Sequence, residues 1–218
     1  MVSYSSNHSG HGHIGNIGGC MDFAKEINGH TLEYFDDGHI YLVDGVIVPS
    51  ITQLLKVRFG NKYGFVSKAT LMRASEAGTQ VHDAIQRLCE NGEIADFPEV
   101  RNFLFLKKQY KFEVLENEVP VILFLNDEPI SAGRLDMVIK MDGQIGGADI
   151  KRTSILDKDY LAYQLNLYRI AYRQCYGVEW EFLRGIHLRN DVRKFVTIPI
   201  NENITWQLVH EYMEENNE

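Results

Sequence analysis

Apolar and polar residues alternate early in the chain, which is the pattern of strands with one buried face. Residues 31–48 predict a β meander with turns at 36–38 and 44–45. The following Ser-Ile-Thr-Gln at 50–53 has the spacing of a capping box and predicts a short helix through Leu55. Residues 1–19, rich in Ser, Gly, His and Asn, lack any such periodicity, so we expect a disordered leader or tag there.

The rest of the chain alternates between helical and extended periodicity. Apolar residues at helical spacing predict helices at 79–90, 98–110, 159–176 and from 202 onward. Runs rich in β-formers predict strands at 112–125, 130–141, 145–150, 180–188 and 192–200. Neither repeats nor a long linker interrupt this order. It predicts a single α/β domain over 20–218, in which helices flank a mixed sheet behind the N-terminal meander.

Two acids and a lysine fall at one end of a predicted hairpin. Antiparallel pairing across the turn signal at 141–144 would bring Asp136 level with Asp149 and Lys151. Because side chains alternate along a strand, Asp149 and Lys151 project together while Ile150 faces the other way. Hard oxygen ligands suit Mg²⁺ or Mn²⁺, and an adjacent ammonium can offset phosphate charge. The alternative is that these charges only keep a sheet face solvated.

Glycines stand shortly before both acids. Gly133 precedes Asp136, and Gly146 with Gly147 precedes Asp149. Since glycine has no Cβ, these positions predict room for the close approach of a backbone or a phosphate.

Three more polar residues lie on predicted helices. His82 is next to Val81 on the edge of an apolar stripe, where it is either a boundary histidine or a third metal ligand. Gln164 and Tyr168 are one helical turn apart on a face that is otherwise apolar, so they either line the core or support a site.

These motifs occur in an order that is similar to one known family. Gly-x-x-x-His at 78–82, Gly-x-x-Asp at 133–136, Asp-x-Lys at 149–151 and Gln-x-x-x-Tyr at 164–168 resemble the RecB-like exonuclease branch of the PD-(D/E)XK nuclease superfamily. Its compact phage and mitochondrial genome-maintenance exonucleases also resemble this chain around 48–55.

The resemblance implies a restriction-endonuclease-like core and a role for each motif residue. The metal ligands that it implies are His82, Asp136, Asp149 and the carbonyl of Ile150. It implies that Lys151 is the catalytic lysine, and that Gln164 and Tyr168 either support the catalytic site or contact DNA. Glu118 matches an acid that some members carry on the preceding strand. Glu116, two residues away on the same predicted face, leaves that assignment open.

The implied function is divalent-metal-dependent hydrolysis of DNA by an exonuclease. Its substrate would be single- or double-stranded DNA with free ends, in phage-type replication, recombination or repair within a bacterial or phage-infected cytoplasm. A homo-oligomer or a phage recombination protein would be its protein partner. Two alternatives stay open, namely a catalytically inactive DNA-binding protein with a nuclease fold and a structure-specific endonuclease.

The amino-acid composition narrows the class of protein and the cofactor that we expect. The scattered cysteines Cys20, Cys89 and Cys175 predict free thiols in a reducing compartment, and three residues cannot supply the four ligands of the iron–sulfur cluster in some relatives. We therefore expect Mg²⁺ or Mn²⁺ and no iron–sulfur cluster. No apolar run approaches the length of a membrane span, so we expect no membrane partner.

The net charge of −8, from 22 basic and 30 acidic residues, is unusual for a protein that holds phosphates. The interval 56–73, however, contains basic and aromatic residues and no acid. Its predicted DNA contacts are Lys56, Arg58, Lys62, Lys68 and Arg73. A flexible solvated loop is the alternative for this interval.

Overall fold

The N-terminal part of the protein is an antiparallel meander. The computed structural model describes residues 22–60 and 66–216. The meander pairs in the order β1-β2-β3-β4. Its strands are β1 Phe23–Ile27, β2 His30–Phe35, β3 Ile40–Val43 and β4 Val46–Val48. The sequence prediction omitted β1, because charged Lys25 and Glu26 interrupt its apolar alternation. The predicted leader at 1–19 and the contact at Lys62 lie outside the described residues.

A second sheet of five strands, in the order β5-β6-β7-β8-β9, carries the rest of the fold. Its pairs are antiparallel except for β7 and β8, which are parallel because helix α5 crosses between them. The strands are β5 Glu113–Leu125, β6 Glu128–Met141, β7 Gln144–Lys151, β8 Phe182–Arg189 and β9 Val192–Ile198. The predicted α/β class is thus confirmed, with a mixed sheet behind an N-terminal meander.

Helices cover both faces of the mixed sheet. Helices α1, α5 and α6 bury one core against it, and α3 with α4 buries the other. Their bounds are α1 Ile51–Leu54, α2 Lys56–Phe59, α3 Lys68–Asn91, α4 Pro98–Tyr110, α5 Lys158–Tyr176 and α6 Glu202–Asn216. None of the helices within residues 22–60 and 66–216 combines the length and apolar character needed to cross a bilayer.

Local signals set the helix ends. The predicted capping box is confirmed, since Ser50 accepts from the backbone of Gln53 and the Gln53 side chain accepts from Ser50. Helix α3 is longer than predicted and begins at Lys68, where the Ser67 hydroxyl accepts from the N–H of Thr70. The first turns of α3 are mostly exposed, so they carry no apolar periodicity to reveal them.

The glycines before Asp149 allow the close approach of another segment, as predicted, and that segment is the protein's own chain at Trp180 and Phe182. A Cβ at Gly146 would overlap the backbone and ring of Phe182, and one at Gly147 would overlap the indole of Trp180. The room these glycines leave is therefore filled by the protein's own aromatic residues, which the sequence pattern of a single strand does not show.

Replacing Gly147 with alanine should lower the free energy of unfolding by about 3 kcal/mol, because a fully buried indole has nowhere to move. Gly78→Ala is the matched control. A Cβ at Gly78 meets nothing within 4 Å, and alanine favours the helix, so this change should be neutral or stabilising by up to about 1 kcal/mol. Denaturant unfolding measures both variants. Equal stability of the two would contradict this account of Gly147.

Candidate active site

The hairpin of β6 and β7 places the two predicted acids opposite each other. Met137 pairs with Ala148, so Asp136 and Asp149 occupy the next level of the ladder. The N–H of Ile150 donates to Oδ2 of Asp136 over 2.6 Å. This bond fixes one oxygen of Asp136 and leaves the other free to face a ligand.

Asp149 and Lys151 project together from β7, as strand alternation predicts. Lys151 Nζ lies 2.6 Å from Oδ2 of Asp149, whose side chain is only 2% exposed. The Ile150 side chain points into the opposite core, beneath α3 and α4. Ile150 also lines a small cavity beside Asp136 and His82.

Helix α3 brings His82 to the acids of the sheet. Its Nδ1 lies 3.6 Å from Oδ1 of Asp136 and 4.0 Å from Oε1 of Glu118. One ligand atom from each of these three residues lies within 4.8 Å of the other two. An imidazole nitrogen with carboxylate oxygens is a donor set that Mn²⁺ and Mg²⁺ accept, so this group could hold a divalent cation.

The structure decides between the two glutamates and corrects the expectation that they share a face. Glu118 approaches His82 on α3, whereas Glu116 accepts a hydrogen bond from Tyr172 on α5. The alternation of β5 is broken at Glu118, whose backbone has a φ of +48°. Residues two apart therefore point to opposite faces of the sheet.

A cleft of about 330 Å³ collects the predicted residues of all four motifs. Helix α5 contributes Gln164 and Tyr168, both nearly fully buried. The Tyr168 hydroxyl donates to the carbonyl of Arg134 over 3.0 Å. Within the described residues, Oε1 of Gln164 has no hydrogen-bond partner, so it is available as an acceptor at the cleft wall. The cleft lining includes Gly78, His82, Glu118, Gly133, Asp136, Asp149, Lys151, Gln164 and Tyr168.

Burial and mutual repulsion shape the electrostatics of the cleft. Burial, and then the charge of Asp136, raises the pKa of Glu118 to about 7 and that of Asp149 to about 6. Burial alone would lower the pKa of the Lys151 ammonium, but the charges of Asp149 and Asp136 outweigh it and raise that pKa. The cleft therefore holds crowded carboxylates whose repulsion a divalent cation would relieve.

The meander also contributes to the cleft, which the sequence did not predict. His39 and Tyr41 of the meander line it, together with Arg134 of β6. Arg134 Nε lies 2.7 Å from Oε2 of Glu118. The only signal for this arginine is its place inside the Gly-x-x-Asp motif. Nothing in the local sequence marks His39 or Tyr41, because their approach depends on how the meander docks on β6.

The residues of 56–73 that were predicted to contact DNA lie in different structural environments. Arg58 is engaged within the protein, since it hydrogen-bonds Tyr163 and pairs with Glu211. Lys56 lines a second cavity of about 700 Å³ that also borders Lys151. Lys68 and Arg73 lie on helix α3 and not in a loop, which excludes the solvated-loop alternative for these two residues.

The two glutamates of β5 make a matched pair for testing the cation site. Binding of Mn²⁺ should strengthen as the pH rises through about 7, because Glu118 then loses its proton. In Glu118→Gln this rise should disappear and the affinity should fall at least about tenfold. Glu116→Gln should keep the wild-type profile, since Glu116 faces Tyr172. Titration calorimetry from pH 5.5 to 8.5 measures the Mn²⁺ affinity of each variant. Identical pH profiles of that affinity in both variants would exclude Glu118 as a ligand.

Comparison with known proteins adds little to what the geometry of the cleft indicates about function. No family model and no curated protein matches the sequence. Among solved structures that match, one titled "Crystal structure of SSO0001" has a TM-score of 0.45 and 16% sequence identity, over 78% of this chain and 77% of that chain. A likeness at that level supports no statement about activity, so function has to be argued from the cleft itself.

Proposed function

We propose that the protein is a divalent-metal-dependent deoxyribonuclease, and an exonuclease in particular. The observation that carries the proposal is the convergence of His82, Asp136, Asp149 and Lys151 from one helix and two strands into a single cleft. His82 is more than fifty residues from the other three in sequence, and all four belong to motifs that resemble RecB-like exonucleases. A chain that only bound DNA would not need a buried carboxylate paired with an ammonium group beside a second, partly buried carboxylate.

The donor set fits Mg²⁺ or Mn²⁺. The residues that would hold the cation are His82, Asp136 and Glu118, and the resemblance adds Asp149 and the carbonyl of Ile150. When bound, the cation supplies Lewis-acid chemistry, which polarises a phosphate oxygen and acidifies water. Glu118 joins this set because it lies 4.0 Å from His82, and Asp149 also pairs with Lys151.

The chain's own groups then have separate tasks. Lys151, fixed by Asp149 over 2.6 Å, holds the attacking water and offsets the charge that develops on the phosphate. Hydrolysis adds water across the bond between phosphorus and the 3′ oxygen, which leaves a 5′-phosphate and a 3′-hydroxyl. Gln164 offers an acceptor at the cleft wall, and Tyr168 braces the backbone of Arg134 beside Glu118.

Digestion of end-labelled linear DNA, single- and double-stranded, beside a closed circle tests the proposal. We expect linear DNA to be lost with Mg²⁺ or Mn²⁺ and to survive in chelator, while the circle survives throughout. Cleavage of the circle would make the protein an endonuclease. If folded protein retards DNA but cuts no substrate in either metal, the catalytic proposal fails and a DNA-binding role takes its place.

A further inference from the structure

A second surface, separate from the cleft, combines arginines with aromatic rings. The guanidinium of Arg193 lies 3.7 Å from the ring centre of Phe105, which is 45% exposed. Arg184 lies over the ring of Phe195 at 5.6 Å, and the ring of Tyr110 packs on Phe195 at 4.5 Å. We define the arginine–aromatic surface by Phe105, Lys108, Tyr110, Arg184, Arg193 and Phe195.

Strand pairing puts these side chains on one face. Arg193 pairs with Leu188 and Phe195 with Ile186, and both partners lie in the core beneath α4. Directly paired residues of neighbouring strands point to the same side of a sheet. The arginines of β8 and β9 therefore meet the exposed face of α4, where Lys108 stands one turn after Phe105.

Positive charge is concentrated in the segments that form this surface. Residues 98–112 and 182–198 hold eight of the 22 Lys and Arg residues but only two of the 30 Asp and Glu residues. One of these acids, Glu99, is 2% exposed and pairs with Arg152, so it does not face the surface cations. In a chain with a net charge of −8, such a face could attract a polyanion.

The surface cations also lack carboxylate partners. Seven arginines of the described part of the chain pair with carboxylates, namely Arg58, Arg87, Arg101, Arg134, Arg152, Arg169 and Arg173. Within that same part, Lys108, Arg184 and Arg193 form no ion pair. Burial lowers the pKa of Arg184, because its charge is partly desolvated with no carboxylate beside it. An anion from outside would supply the missing partner.

We propose that the arginine–aromatic surface binds a single strand of nucleic acid outside the cleft. Phosphates would contact Lys108, Arg184 and Arg193, while unpaired bases would stack on the exposed rings of Phe105 and Tyr110. The inference rests on the proposed function for its class of ligand. The surface lies on β8 and β9, about 10 Å beyond β7 at ordinary strand spacing, so it would engage parts of a long strand that the cleft does not hold.

Fluorescence anisotropy with a labelled oligothymidylate of about 30 nucleotides tests this in EDTA, where no hydrolysis occurs. Arg184→Ala/Arg193→Ala should raise the Kd about tenfold and reduce the slope of log K against log salt by about 1.4, the value for two lost phosphate contacts. Arg87→Ala/Arg173→Ala removes the same charge from ion-paired arginines and should leave both values unchanged. A second variant, Arg184→Lys/Arg193→Lys, is used in case the alanine variant is unstable. It should keep the salt dependence of binding and weaken binding through lost stacking alone.

Each outcome has a separate meaning. Equal loss in both alanine variants, or loss in neither, would overturn the proposal. So would competition by polyglutamate as strong as by oligothymidylate, because the surface would then fit an acidic polypeptide. Binding loss confined to Arg184→Ala/Arg193→Ala, in a protein that cuts no DNA in any metal, would support this surface while refuting the nuclease proposal.

Discussion

Replacing Lys151 with glutamine should reduce metal-dependent DNA hydrolysis by about 1,000-fold, which corresponds to losing one preorganised charge from the site. Glutamine is chosen because Asp149, 2% exposed, would otherwise lose the cation that pairs with it in the described part of the chain. The amide can still donate to Asp149, so the fold should survive. Gel assays with end-labelled single-stranded DNA in Mn²⁺ measure the rate, and thermal unfolding verifies that the variant is folded.

Lys158→Gln is the matched control for this change. Lys158 is the first residue of α5 and is exposed, so its replacement should leave the rate within about twofold. Lys151→Arg should restore little activity, since the larger planar guanidinium cannot take the position of an ammonium packed against a buried carboxylate. A folded Lys151→Gln variant with wild-type rates would refute the catalytic role of this lysine.

Replacing Asp136 with asparagine should weaken Mn²⁺ binding at least about 100-fold and abolish hydrolysis. Asp136 is central to the cleft, because it lies beside His82, opposite Asp149, and next to Glu118 in the cation group. An amide removes the charge that a divalent cation needs. Its oxygen can still accept from the N–H of Ile150, so the hairpin should remain intact.

Asp83→Asn is the control for loss of one negative charge near the cleft. Asp83 lines the cleft from α3 but is not a member of the cation group of His82, Glu118 and Asp136. Its replacement should change the Mn²⁺ affinity no more than about twofold. Calorimetry or Mn²⁺ electron paramagnetic resonance measures both variants. If Asp83→Asn weakens binding as much as Asp136→Asn, the effect is general electrostatics and the ligand assignment is wrong.

The hairpin of β6 and β7 shows how much local chemistry a sequence can specify. The turn has positive φ at Asp142 and Gly143, which that pair of residues favours, and the turn sets the register. Once the register is set, the period of a strand dictates that Asp149 and Lys151 share a face. The capping box at Ser50 and the helix α4 Pro98–Tyr110 were likewise predictable, since their signals lie within a few residues of each other.

The sequence left undetermined those features whose cause lies across the sheet. The choice of Glu118 over Glu116 depends on the left-handed backbone at Glu118, which the alternation of one strand does not predict. Gly146 and Gly147 accommodate Phe182 and Trp180, which follow them by more than thirty residues in sequence. Arg58 is engaged by Glu211 of the C-terminal helix, a contact that no local pattern of charge predicts.

The sequence by itself determined most of the helices and strands, the α/β class, and the face of β7 that carries an acid and a lysine, because propensity, turns and periodicity act over a few residues. The tertiary structure alone decided which groups meet in the cleft. His82 reaches Asp136 and Glu118 only because α3 packs on the sheet, and His39 and Tyr41 reach the cleft only because the meander docks on β6. Those distances depend on how distant segments bury their apolar faces together, and that packing is a property of the whole chain.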